Sequence, residues 1–197
     1  GDDVGRDVLS RLLYGGRVSL AVGIFSTAVS VIVGIPLGML AAFYRGAFEV
    51  VVMRLSDIFM SFPSTILILF LVSMFGPSIV TVTVVIGVLG WPKFARQIYG
   101  SVLSIREKDY IEGAVAIGAK DKLIITRYIL PNAVAPIFIS ITFRIASAII
   151  LESSLSFLGM GVQPPAASWG NMLYNAQSIT ILTSRPWMWV PPGLALV

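Results

Sequence analysis

Asp109-Tyr110-Ile111-Glu112-Gly113-Ala114-Val115-Ala116-Ile117-Gly118-Ala119-Lys120, continuing through Asp121-Lys122-Leu123 and Arg127 to Leu130-Pro131, is the longest stretch rich in charge, and it lies between two strongly apolar segments. Asp109 and Glu112 give a D-x-x-E start close to a capping box, and Asp109 is expected to accept from the free N–H groups of the first turn. Both acids suit the positive end of a helix. Ile111, Ala114, Val115 and Gly118 recur at spacings of three and four, so they are expected on one helical face. Lys120 and Lys122 then favour the negative end of the same helix. Ala114, Ala116, Gly118 and Ala119 carry little bulk, which leaves room for a partner backbone to come close. Pro131 has no N–H and biases Leu130 away from helix, so a break is expected before the next apolar run. From these residues alone, the stretch is either a solvated helix joining two membrane spans or a docking element.

The composition around it decides the class. Mean hydropathy is +0.90. Hydrophobic residues make up 56% and charged residues 12% of 197, against about 25% charged in soluble domains. The expected fold is all-α, a polytopic transmembrane helical bundle with about four complete spans plus the start of another, each span needing roughly 20 residues. Cysteine and histidine are both absent, which removes disulfides, thiolate metal sites and the usual general base. The net charge of +4 fits cytoplasmic loops beside anionic lipid rather than nucleic acid. The sequence opens on Gly1 and closes on Val197 in an apolar run only just begun, so it is expected to be a single transmembrane domain over 1–197 truncated at both ends.

Working outward, residues 1–17 are polar, with Val8, Leu9, Leu12 and Leu13 at helical spacing, and are expected to lie along an interface. Residues 18–44 form the first span. Gly34 and Gly38 make a small-x-x-x-small pair that admits a close neighbour, and Pro36 between them is expected to kink the helix. Residues 50–75 form the second span, with Arg54 and Asp57 spaced to pair and Ser61-Phe62-Pro63-Ser64 marking a kink or re-entry. Residues 78 to about 105 form another helix, and residues 132–158 the next. Arg144 and Glu152 stand roughly on one face of that last span, and charge at such depth marks either a functional site or an internal pair. Residues 159–186 read as a long polar connection, in which Trp169, Tyr174, Trp187 and Trp189 suit the headgroup zone.

Three phrases carry a resemblance. Glu112-Gly113-Ala114, then Gly118, then Leu130-Pro131 resembles the EAA motif of ABC importer membrane subunits. That motif has a Glu-Ala-Ala, a Gly four residues after the second Ala, and a Leu-Pro near its end. Gly113 replaces the middle Ala, which weakens the helix by about 1 kcal/mol, and Tyr128 replaces an Ile. Asp3, Gly5, Arg6 and Asp7 are similar to an amino-terminal phrase of the peptide and nickel permease branch. Ser156-Phe157-Leu158-Gly159-Met160-Gly161-Val162-Gln163-Pro164-Pro165, followed by Ser168-Trp169-Gly170, is similar to another phrase of that branch.

The resemblance implies a type I importer permease fold in a bacterial or archaeal cytoplasmic (inner) membrane. Residues 106–131 would form a cytoplasmic coupling loop, and residues 1–17 and 159–186 would be extracytoplasmic. Glu112, Gly113, Ala114, Val115, Gly118, Ala119, Leu130 and Pro131 would dock on an ATPase. The implied partners are a second related permease, two ATPase subunits, an extracytoplasmic solute-binding protein and membrane lipid. The subunit itself would be non-catalytic, without cofactor or metal. Phe62, Met74, Arg144 and Glu152 are expected along the translocation pathway. The cargo is expected to be di- or oligopeptide, with nickel or another small solute as the alternative within the branch. A stand-alone channel or secondary carrier is the alternative outside it.

Basic residues give an orientation. Arg45, Arg54, Lys93, Arg96, Arg106, Lys108, Lys120, Lys122 and Arg127 fall on the side of the charged stretch, and Arg6, Arg11, Arg17 and Arg185 on the other, which favours a cytoplasmic 106–131. Gly113 to Lys120 does not make a phosphate loop, because Ala119 precedes Lys120 and Asp121 stands where Ser or Thr is needed. The Asp2, Asp3 and Asp7 group reads as local capping and pairing with Arg6 and Arg11 rather than as a metal site.

Overall fold

A computed structural model describes residues 1–2 and 4–197; Asp3, part of the amino-terminal phrase and of the acidic group, lies outside the described residues. The described residues form α1 (Val8–Tyr44), α2 (Gly46–Ser61), α3 (Ser64–Phe75), α4 (Ile79–Arg106), α5 (Asp109–Ala116), α6 (Asp121–Leu123), a π-helical turn (Ile124–Ile129), α7 (Leu130–Phe157), α8 (Trp169–Asn175), α9 (Ile179–Ser184), a 3-10 turn (Pro186–Met188) and α10 (Val190–Leu196). Three helices are long and apolar enough to cross a membrane, or four if the interrupted pair α2 and α3 counts as one span. The all-α bundle expected from composition is the architecture observed.

Residues divide into two compact units. One holds Gly1–Thr27, Ser64–Gly87 and Arg144–Val197, and the other holds Ala28–Pro63 and Val88–Phe143.

In the second unit the small pair on α1 has its partner. A Cβ on Gly38 would stand 2.1 Å from the Ala95 carbonyl oxygen, and one on Gly34 2.6 Å from that of Trp91. The two glycines therefore let α1 and α4 touch backbone to backbone. Pro36 sits inside α1 without ending it. The chain reverses after α1 through two left-handed residues, Arg45 (φ 57°) and Gly46 (φ 68°). The Arg106 guanidinium closes the end of α1: its Nη1 donates to the Phe43 carbonyl at 2.8 Å and lies over the Phe43 ring, a cation where helix carbonyls run out. Arg54 pairs with Asp57 at 3.7 Å as its spacing allowed, but Asp57 also pairs with Arg96 of α4. The C-cap of α2 is Phe62, extended at φ −88° and ψ 141°, the conformation favoured for a residue before proline.

In the first unit α1 starts ten residues before the expected boundary at Val18, so residues 8–17 are helix continuous with the span. Asp7 sets the start, accepting the Ser10 amide at 2.7 Å, an N-cap. Gly15 and Gly16 do not stop the helix because they are used for contact. A Cβ on Gly16 would stand 2.9 Å from the Trp169 ring. Asp2 accepts the Arg6 amide at 2.8 Å and pairs with its Nε at 2.6 Å. Burial pushes the Asp2 carboxyl up, but the Arg6 amide and guanidinium and the Val4 amide together hold it below the ordinary 3.8.

Residues 159–186, expected to be one polar connection, instead contain two helices and a buried interior, with Val162, Ser168, Met172 and Ile181 all enclosed. Ser168 and Asn171 form a reciprocal capping box at the start of α8.

Candidate functional site

The charged stretch folds as a helix, a tight reversal and a second helix. α5 begins after Lys108, which is extended and caps nothing with its side chain. Asp109 is therefore the first helical residue, not the cap, and the expected capping contact is absent. The Ile111 and Glu112 amides are bound by the Lys108 carbonyl at 2.8 and 3.2 Å. Asp109 and Glu112 still place two carboxylates in the first turn, where the helix dipole favours them.

The expected common face is split. Ile111, 2% exposed, enters a cluster with Phe94, Ile98, Val102, Ile124 and Ile129, and Ala114 is also buried. Val115 is 59% exposed and Gly118 is open. Gly118 leaves the face because α5 is eight residues long and ends before it. Val115 lies within α5 but turns to the open side. Ile117, 86% exposed, stands beside Val115 on the open side with Tyr110, Glu112 and Gly113. The sequence reading missed Ile117 and Tyr110. The glycine that follows Ile117 was the available signal, because a helix stop at Gly118 leaves the residue before it with nothing to pack on.

The stop is built from backbone. Gly118 is left-handed at φ +78°. Its N–H donates to the Val115 carbonyl at 2.9 Å, and the Ala119 N–H donates to that of Ala114 at 3.0 Å. These are the two bonds of a Schellman closure with Gly118 at the left-handed position. Gly118 is therefore required for its conformation. A Cβ there, or on Gly113, would meet nothing within 4 Å.

Lys120 and Lys122 do not serve the end of α5 as expected. Lys120 is the extended residue before α6, and Lys122 is in the next helix. The break expected at Pro131 is also absent. Residues Asp121–Phe157 run as one 37-residue helix, with Leu130 fully helical at φ −55° and ψ −51°. The turn ahead of the proline widens to π geometry, in which the Leu130 N–H reaches the Ile125 carbonyl. Widening moves the preceding carbonyls out of the path of the Pro131 ring. Asn132 Nδ2 donates to the Tyr128 carbonyl at 2.6 Å in the same region. Leu130 and Pro131 thus stand in continuous helix, and α5 leans on it through Ile111, Ile124 and Ile129.

The four residues expected along a pathway are placed separately. Phe62 is exposed at the break between α2 and α3, and Met74 is exposed near the end of α3. Arg144 and Glu152 share α7 but make no pair. Arg144 Nη2 donates to the Ile86 carbonyl at 2.8 Å. Glu152 is fully buried and takes hydroxyl donors instead, from Ser156 at 2.7 Å and from Ser19 at 2.9 Å. Ser156 Oγ in turn accepts the Val162 amide at 2.9 Å. Gly161 and Gly170 allow this closeness, since a Cβ on Gly170 would stand 2.4 Å from the Ser153 carbonyl oxygen. Trp169 belongs to this region and not to a headgroup layer alone: its indole N–H donates to the Leu12 carbonyl at 3.0 Å. Among the described residues no three acids group as a metal site.

Residues 34–197 match the family described as binding-protein-dependent transport system inner membrane component. A putative peptide permease protein of Brucella ovis is 41% identical over 196 residues, covering 100% of this chain and 65% of the relative. A glutathione transport system permease protein of Pectobacterium atrosepticum is 40% identical over 195 residues, covering 99% and 64%. A dipeptide transport system permease protein of Alkalihalophilus pseudofirmus is 37% identical over 196 residues, covering 100% and 64%. The chain thus spans about two-thirds, 65% or slightly less, of the length of these curated relatives. Two inward-facing structures of the MetNI methionine ABC transporter superpose with TM-scores of 0.71 and 0.76. At 21% and 20% identity they cover 94% and 95% of this chain, and 93% and 88% of theirs. That likeness is one of fold.

Proposed function

This chain belongs to the family of binding-protein-dependent transport system inner membrane components, and on that premise we propose that it is the permease half of a peptide importer driven by separate ATPase subunits. The observation that carries this reading is the closed elbow at 109–119. Its inner side is fixed in the core by Ile111, and its outer side offers Val115 and Ile117 beside Glu112, all exposed among the described residues. Exposed branched aliphatics next to a carboxylate, on a helix held firmly from behind, make a surface for a protein partner. The docking residues are Glu112, Gly113, Val115 and Gly118 at the surface. Ala114 and Ala119 seat the helix, and Leu130-Pro131 joins it to the span.

The basic residues support a cytoplasmic elbow. Arg45, Arg54, Lys93, Arg96, Arg106, Lys108, Lys120, Lys122 and Arg127 all belong to the unit that holds α5, and Arg6, Arg11, Arg17 and Arg185 to the other. Basic loops stay on the inner side of the cytoplasmic membrane. The residue 159–186 hairpin then faces outward, towards a solute-binding protein.

In this account ATP binding closes the ATPase pair, the elbow moves with its docking cleft, and the π turn passes the displacement into α7. The ATPase must hold the elbow more tightly in one permease state than in the other, since equal contacts shift nothing. No residue of this chain does chemistry; ATP is hydrolysed in the partner. A second permease of the same kind completes the route, and the cargo is peptide.

The test is uptake. The full-length subunit is reconstituted with its paired permease, the ATPases and the binding protein, and labelled peptide is followed into vesicles. Accumulation that requires ATP hydrolysis supports the reading. Equal accumulation without nucleotide removes it.

A further inference from the structure

Arg144 lies midway along α7, about 20 Å from either end at 1.5 Å per residue. One donor, Nη2, is committed to the Ile86 carbonyl. The Nε is buried and has no hydrogen-bond partner. No ion pair joins Arg144 to a carboxylate among the described residues. Glu152, the acid on the same helix, has both oxygens engaged by serine hydroxyls. A carbonyl dipole offsets only part of the cost of taking a guanidinium out of water, and cations inside spans are accordingly paired or face a water-filled cavity. A lipid phosphate does not supply the missing anion, because headgroups lie near the helix ends and an arginine side chain reaches far less than 20 Å. Ser147 and Ser154 are exposed and lie within about 80° of Arg144 around the helix, which continues a polar strip on that side of α7.

We propose that Arg144 is a binding site for the carboxylate of the cargo as it passes through the permease. The proposal deepens the import reading and rests on it. A guanidinium offers parallel donors that match a carboxylate in a fixed fork, and every peptide with a free C-terminus carries that group.

The experiment uses the assembled permease–ATPase complex without the binding protein, so that the binding protein's own selectivity plays no part. A pool of random di- and tripeptides is offered with free C-termini, and the same pool with C-terminal amides. Retention is read by mass spectrometry. We expect the wild type to retain the free acids about tenfold or more over the amides. Arg144→Gln should abolish that preference while still co-eluting with its partners, and Arg144→Lys should restore part of it. Two results overturn the proposal: an unchanged acid-to-amide ratio in Arg144→Gln, or a wild type with no preference. If Arg144 instead meets an acid of the second permease, Arg144→Gln loses assembly and Arg144→Lys keeps assembly without any acid preference, which also overturns it. Failure of the import reading is seen separately, as peptide uptake that ignores ATP.

Discussion

The Ala119 amide donates to the Ala114 carbonyl at 3.0 Å across the left-handed Gly118. This bond turns the chain out of α5 and leaves Ile117 on the open surface. A residue with a Cβ at Gly118 costs about 1–2 kcal/mol in that conformation, and the Cβ itself meets nothing within 4 Å. Gly118→Ala is therefore expected to fray α5, and Gly118→Asn to fray it less, because asparagine tolerates the left-handed region. Amide hydrogen exchange over Gly118 and Ala119 measures this; equal protection in Gly118→Ala and the wild type would contradict the closure.

Gly38 and Gly113 should respond oppositely to alanine. At Gly38 the added Cβ is driven 2.1 Å from the Ala95 oxygen, so α1 and α4 must separate at a cost of about 1–3 kcal/mol. At Gly113 the Cβ enters open space and the helix gains about 1 kcal/mol of propensity. Thermal unfolding in detergent should fall for Gly38→Ala and hold or rise for Gly113→Ala.

Much of this was legible in the sequence, for identifiable reasons. The small pair Gly34 and Gly38, the interruption at Phe62-Pro63 and the glycine of the elbow are local signals with one physical meaning each. The pairing of Gly34 and Gly38 with α4 was not legible, because periodicity shows that a face is small without showing what meets it. Proline gave the wrong answer at Pro131. Its usual effect assumes α-helical carbonyl spacing, and the π turn removes that assumption. Arg144 and Glu152 were spaced to share a face, but the serines that take Glu152 come from Ser19, far away in sequence, and from Ser156. The buried interior of 159–186 was hidden because its polar residues, read as solvated, bond to one another.

Glu152 should act as a clamp on that hairpin. Glu152→Leu leaves the Ser19 and Ser156 hydroxyls without their acceptor, at about 1–3 kcal/mol. Exchange of the Val162 amide, which donates to Ser156 Oγ at 2.9 Å, should accelerate in Glu152→Leu while exchange in α5 stays unchanged. Equal acceleration in both places would mean general unfolding rather than release of the hairpin.

The amino-terminal turn should open in acid. The Asp2 carboxyl lies below its ordinary 3.8 in the folded chain. Its stabilisation is therefore complete above the unfolded value and is lost as pH falls through the lower folded value. The Val4 and Arg6 amides, which donate to Asp2, should stay protected at pH 4 and above and lose protection only below 3.8. Loss beginning well above that value would reverse the sign.

The central claim is that the elbow is an inner-side docking surface for a separate motor. Residues 1–197 contain no cysteine, so Ile117→Cys adds one thiol to this stretch, at the elbow's most open position, and labelling is read as the difference from the protein without the substitution. Labelling with a membrane-impermeant maleimide is compared in intact cells, inverted vesicles and the purified assembly. The account predicts no labelling from outside the cell, ready labelling in inverted vesicles stripped of ATPase, and strong protection once the ATPase is restored. Labelling from the outside, or labelling that the ATPase does not diminish, would contradict it.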